Sequence, residues 1–91
     1  MHLISESCQM LTETEKAILE KMLTERFVGG RHTSADNIPK GFPKHLRGEA
    51  KDSLRVLIRN GYIITKPTSY GLEVSLNPRR LDEINKILQI K

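Results

Sequence analysis

Apolar residues recur along this chain with two different periods. Ala17, Ile18 and Met22, flanked by Leu19 and Leu23, gather on one side of a helical wheel. Ahead of them, Thr12-Glu13-Thr14-Glu15 has the form of a capping box. The Thr hydroxyl accepts from the Glu15 amide and the Glu15 carboxylate reaches back, so helix 1 is predicted to begin at Thr12. Gly29-Gly30 is the expected end of that helical region, because glycine tolerates the left-handed backbone of a helix exit. Thr33 or Ser34 is read as the cap of one or two further turns running to about Ile38, limited by Pro39, which opposes a helical residue before it. Gly41-Phe42-Pro43 reads as a turn, with Phe42 pinning it to the core and Pro43 at the first position of the next helix. Helix 3, Lys44 to Asn60, carries Leu46, Ala50, Leu54 and Leu57 on one face. Gly61 is placed to close it with Tyr62 supplying the hydrophobic contact. Asn60-Gly61 as a hairpin turn is the alternative, and the helical periodicity before it argues against that.

The period then falls to two. Tyr62 to Lys66 is β-branched and aromatic, and Leu72, Val74 and Leu76 alternate with Glu73 and Ser75. Pro67-Thr68-Ser69-Tyr70-Gly71 is expected to join the two strands. Asn77-Pro78 is an N-cap followed by a proline at the first helical position. Helix 4 follows, with Leu81, Ile84, Ile87, Leu88 and Ile90 on one face. That face has two readings: docking on helix 1, or a two-fold homodimer contact. The second is adopted as the expectation. The fold class is therefore α+β, divided as a flexible lead-in over 1–11, a domain over 12–77 and a C-terminal amphipathic helix over 78–91.

Charge changes this picture. The 91 residues carry a net +4. Residues 1–25 set five Glu against Lys16 and Lys21, for −3, whereas residues 26–80 set eleven Lys and Arg against Asp36, Glu49, Asp52 and Glu73, for +7. The last eleven residues balance. A basic block inside a folded domain points to a polyanionic partner; a merely soluble basic surface is the competing reading. Within the block, Lys44, Arg47, Lys51, Arg55 and Arg59 are spaced three, four, four and four apart, which at about 100° per residue forms one stripe.

Helix electrostatics sharpens the stripe. Acids are favoured at helix N-termini and cations at C-termini, by roughly 0.3–1 kcal/mol each. Helix 1 obeys, with Glu13 and Glu15 in its first turn. Helix 3 opens with Lys44, His45 and Arg47, and helix 4 with Arg79 and Arg80 before Asp82 and Glu83. Cations placed against the dipole suggest phosphate contact at helix N-terminal amides. Arg59, in a last turn, is explained by the dipole alone and leaves the candidate set.

The order helix, helix, helix, strand, loop, strand, helix resembles the winged helix-turn-helix family of transcription factors. It looks most like that family's small archaeal members. The Ala50…Leu54…Leu57 helix, its Asn60-Gly61-Tyr62-Ile63 exit and the hairpin Thr65 to Gly71 carry the resemblance. The second helix is shorter here than is usual in that family. The resemblance implies three helices and a two-stranded wing, with helix 3 in the major groove and the wing on the backbone of double-stranded DNA. On that reading Arg47 and Lys51 reach base edges, guanine O6 and N7 being natural targets for Arg. Lys44 and Arg55 meet phosphates, His45 a base or a phosphate, and Lys66 and Tyr70 the backbone. Arg79 and Arg80 either meet phosphates or pair with Asp82 and Glu83.

Other chemistry is not expected. His2, His32, His45 and Cys8 lack metal-ligand spacing, Gly29-Gly30-Arg31 is too short for a phosphate loop, and no motif frames a nucleophile. No enzyme activity, metal, cofactor or small-molecule ligand is implied. No apolar run approaches the ~18 residues of a membrane span. Residues 1–10 lack the form of a secretory signal, and a lone cysteine fits a reducing compartment. A cytoplasmic transcription regulator is the expectation. A winged-helix module for protein or RNA is the alternative.

Overall fold

Thr12 opens the first helix with both halves of the capping box in place. In the computed structural model, which describes residues 11–89, the Glu15 amide donates to Thr12 Oγ1 (3.1 Å) and the Thr12 amide to Glu15 Oε1 (2.9 Å). Helix α1 spans Glu13–Thr24. Ile18, Leu19 and Met22 are fully buried, whereas Ala17, expected on that face, is exposed. The buried stripe is therefore rotated toward Leu19 from the face expected. Thr12→Ala removes the reciprocal cap and should cost about 1 kcal/mol. For a chain this small that is a fall in Tm of about 4–8 °C, measurable by thermal melting.

α1 stops well short of Gly29. The Arg26 amide donates to Leu23 O and the Phe27 amide to Met22 O, and Arg26 itself takes the left-handed conformation (φ 64) that glycine was expected to supply. The early exit frees Phe27 and Val28 to pack on the core. Val28 forms a parallel bridge with Leu76.

Thr33 and Ser34 do not cap a helix. They form strand β1 (Thr33–Ser34), antiparallel to Val74 and Glu73. The short helix α2 comes later, at Asn37–Lys40, with Pro39 inside it. A single turn has no internal amide bond for proline to remove at that position. Phe42 then packs on the core as expected.

Helix α3 spans Arg47–Arg59, led by a 3-10 turn at Lys44–Leu46. Ala50, Ser53, Leu54 and Leu57 are its buried face, against α1 and α2. Its exit is a Schellman motif: the Gly61 amide donates to Ile58 O and the Tyr62 amide to Leu57 O. Gly61 has φ 85, where a side chain would be strained.

Strands β2 (Ile63–Thr68) and β3 (Gly71–Leu76) pair in full register from Ile63↔Leu76 to Thr68↔Gly71. The connecting loop is thus only Ser69 and Tyr70, and Pro67 belongs to the edge strand. The sheet order is β1-β3-β2, so the hairpin expected to be two-stranded is part of a three-stranded antiparallel sheet. Asn77 caps a second 3-10 turn, Pro78–Arg80, by accepting from the Arg79 amide, and helix α4 (Leu81–Gln89) follows. Ile84 and Ile87 are buried in the same core as α1, so the apolar face of α4 is used within the subunit. Ile90 and residues 1–10 of the lead-in, with His2 and Cys8, lie outside the described residues. Among those described, the fold is α+β, with four α-helices and a three-stranded antiparallel sheet.

Candidate nucleic-acid interface

The amphipathic pattern of α3 divides its surface three ways. Ala50, Ser53, Leu54 and Leu57 face the core. On an ideal wheel at about 100° per residue, Arg47, Lys51 and Arg55 descend one exposed flank, with Arg59 at its far edge. Glu49 lies on the other, and Asp52 lies at the border of the cationic flank, beside Arg55. Thr14 Oγ1 of α1 donates to Glu49 Oε2 at 2.6 Å, which holds that acid on the α1 side. The cationic flank is left to solvent.

The individual side chains are differently committed. Lys44, His45, Arg47, Lys51 and Arg55 are all exposed. Among the described residues, no ion pair engages Lys44, Arg47 or Lys51. Arg47 Nε donates to the Phe42 carbonyl at 3.2 Å, which steadies the side chain, and no described residue engages its other guanidinium nitrogens. Arg55 lies 3.7 Å from Asp52, with both side chains more than seventy per cent exposed (74% and 78%). At that exposure the pair is worth little and is easily exchanged for a phosphate.

Arg79 and Arg80 part company. Arg79 is exposed. Arg80 makes a bidentate pair with Glu83: Nε to Oε1 at 3.1 Å, and Nη2 to Oε1 and Oε2 at 2.9 and 3.0 Å. Its Nη1 donates to the Asn60 carbonyl, and its guanidinium lies 4.2 Å from the Tyr62 ring centroid. Arg80 ties the start of α4 to the end of α3, with all three guanidinium nitrogens engaged within the chain.

The dipole contrast read from sequence takes another form here. The α-helices begin at Arg47 and Leu81, behind their 3-10 turns. Glu49 therefore falls in the first turn of α3, and Asp82 and Glu83 in that of α4. All three long helices carry acids in their first turns. Lys44, His45, Arg79 and Arg80 belong to the lead-in turns. What remains against the dipole is Arg47 alone, the first residue of a helix whose N-cap, Leu46, makes no side-chain bond.

Gly48 adds a feature that the cation spacing did not register. It sits in the first turn of α3, and a Cβ there would meet nothing within 4 Å. A helical glycine costs about 1 kcal/mol relative to alanine, and no neighbouring atom requires it here. It leaves the backbone between Arg47 and Glu49 open to close approach. Its signal in the sequence was a glycine inside a helical period.

The hairpin supplies Lys66, exposed and opposite Glu73 in the register, and Tyr70, in the turn and 98% exposed. Glu73 is held at 2.7 Å by His32 Nδ1. No cluster of His, Cys, Asp or Glu among the described residues has the form of a metal site, and no described helix is long and apolar enough to cross a membrane. Comparison with family models, with curated proteins and with solved structures finds no match.

Proposed function

We propose that this chain binds double-stranded DNA through the cationic flank of α3, with the β2–β3 hairpin as a second contact, in the manner of winged-helix transcription regulators. The observation that carries the reading is the composition of that flank. Arg47, Lys51 and Arg55 share one outward side of a helix whose back is buried; Glu49 is held on the α1 side, and Asp52 alone borders the cations, in a loose exposed pair with Arg55. The element order supports the winged-helix comparison, with β1 lying beside β3 as the third strand. Helix α2 is a single turn, so the presentation of α3 rests on the Gly41-Phe42-Pro43 connection and the 3-10 turn. Arg47 and Lys51 are the proposed base-reading pair, Lys44 and Arg55 the phosphate contacts, with Lys66 and Arg79 outlying. Arg80 is left out because its guanidinium is already satisfied. His45 is exposed beside Lys44 and remains an accessory contact.

The test is titration against a random duplex across a salt series. Four phosphate-neutralising cations should give a log–log slope near −3.6, at about 0.9 per contact. Absence of binding at low salt would falsify the proposal. Binding to structured RNA or protein in its place would support a module of another kind.

A further inference from the structure

The large hydrophobic residues left exposed all lie on one element. Among the described residues these are Ile64 (38%), Leu72 (42%) and Tyr70 (98%), and each belongs to the β2–β3 hairpin. The pattern along the strands explains why. Ile63, Val74 and Leu76 are buried at the base of the ribbon, while Lys66, Pro67, Ser69, Tyr70, Gly71 and Leu72 are exposed toward its tip. At about 3.3 Å per residue, the tip stands some 13–17 Å beyond the base.

Turn chemistry does not account for Tyr70. Two-residue hairpin loops favour Gly, Asn or Asp, which accept positive φ. Here neither Ser69 nor Tyr70 has positive φ, and Gly71 (φ 129) takes up the unusual backbone instead. Packing does not account for it either, since the ring touches almost nothing. Yet the backbone beneath it is fixed: the Tyr70 amide donates to Thr68 Oγ1 at 3.2 Å, and the Thr68 hydroxyl donates to the Gly71 carbonyl at 2.8 Å. Pro67 stiffens the same strand. The ring is thus offered on a braced turn with only its own two torsions to lose.

A hairpin built to follow phosphates would carry several cations. Lys66 is the only Lys or Arg between residues 62 and 76. The one acid of the ribbon, Glu73, is paired with His32. The tip therefore combines an aromatic face, the apolar Pro67 and Leu72 opposite one another on one side, and a single cation. An exposed aromatic near a backbone-neutralising lysine suits the flat face of a nucleobase, and a base offers that face only when its neighbour is missing.

Building on the duplex binding proposed above, we infer that Tyr70 is a stacking platform for an unpaired base, so that the preferred ligand is a duplex with an unpaired base at its edge. Helix α3 holds the duplex, and the hairpin tip reads where pairing stops.

The test compares a blunt DNA duplex with the same duplex bearing a short single-stranded overhang, by fluorescence anisotropy. A fluorescent base analogue at the first unpaired position reports stacking directly. Stacking of one base spans about 5- to 150-fold in affinity, so the wild type should prefer the overhang by that range and quench the analogue. Tyr70→Ala should bind the two probes with equal affinity and lose the quenching. Tyr70→Phe should keep both preference and quenching. Equal wild-type affinity for the two probes would overturn the inference while leaving duplex binding standing. So would a preference retained by Tyr70→Ala, or Tyr70→Phe behaving as Tyr70→Ala, which would mark the hydroxyl and not the ring as the contact. Failure of the wild type to bind either probe would remove the duplex reading and this one with it.

Discussion

The double variant Arg47→Glu/Lys51→Glu should lose duplex DNA binding by roughly 100-fold or more at low salt, because two base contacts go and two like charges face the duplex. Neither side chain is buried, and neither has an ionic partner among the described residues. Their removal therefore breaks no pair, and surface changes of this kind stay within about 0.5 kcal/mol of wild-type stability. Arg47→Glu even places an acid at the first position of α3, where the helix favours it by roughly 0.3–1 kcal/mol. The lost Arg47–Phe42 bond is exposed and offsets part of that gain. Folding and binding are thus pushed in different directions by the same two substitutions. Melting temperature held or raised, with binding lost, is the expected result. Unchanged affinity with an unchanged salt slope would show that the stripe is only a soluble surface.

The legible parts of the fold were those decided by neighbours in sequence. The Thr12–Glu15 box, the Gly61 exit of α3, the Asn77 cap and the pairing of Tyr62–Lys66 with Leu72–Leu76 each follow from residues within a few positions of one another. Strand β1 was not legible, because Thr33-Ser34 is a strand only by virtue of β3 lying beside it. With two residues it carries no period of its own, and Ser and Thr are also what a helix cap looks like. The end of α1 failed for a related reason. Gly29 is the better left-handed residue by local preference. The burial of Phe27 and the Val28–Leu76 bridge set the exit at Arg26 instead. In the candidate site, the flank of cations was visible as spacing, but the state of each cation was not. Arg80 and Arg79 are adjacent and alike in sequence. Only the approach of Asn60, Tyr62 and Glu83 from two other elements separates them. The helix starts misled in the same way: a 3-10 turn shifts the α-helical register by three residues, and composition does not mark it.

Arg80→Ala should lower stability by about 2 kcal/mol, or a Tm fall of about 10 °C, and leave the salt slope of DNA binding where it was. The Arg80 side chain is only 30% exposed and its Glu83 partner 39%, so the pair is screened less than a surface pair such as Arg55–Asp52. Its loss strands two groups at once. Glu83 keeps only the Tyr62 hydroxyl, at 3.2 Å, among its described partners, and the Asn60 carbonyl at the end of α3 loses a charged donor. The Tyr62 ring, itself buried, loses a cation packed on its face, worth about 0.5–1 kcal/mol or more where water is excluded. Glu83→Gln should cost less, because an amide still accepts from Arg80, and a double-mutant cycle across Arg80 and Glu83 should return a coupling well above the ~0.5 kcal/mol of an exposed helix pair. Arg79→Ala, one residue away, should do the reverse: no change in melting, and a salt slope lower by about 0.9 if Arg79 meets a phosphate. Should Arg80→Ala instead reduce the slope while melting normally, the guanidinium would have to leave Glu83 for the ligand, and the link between α3 and α4 would be part of the binding surface and not of its frame.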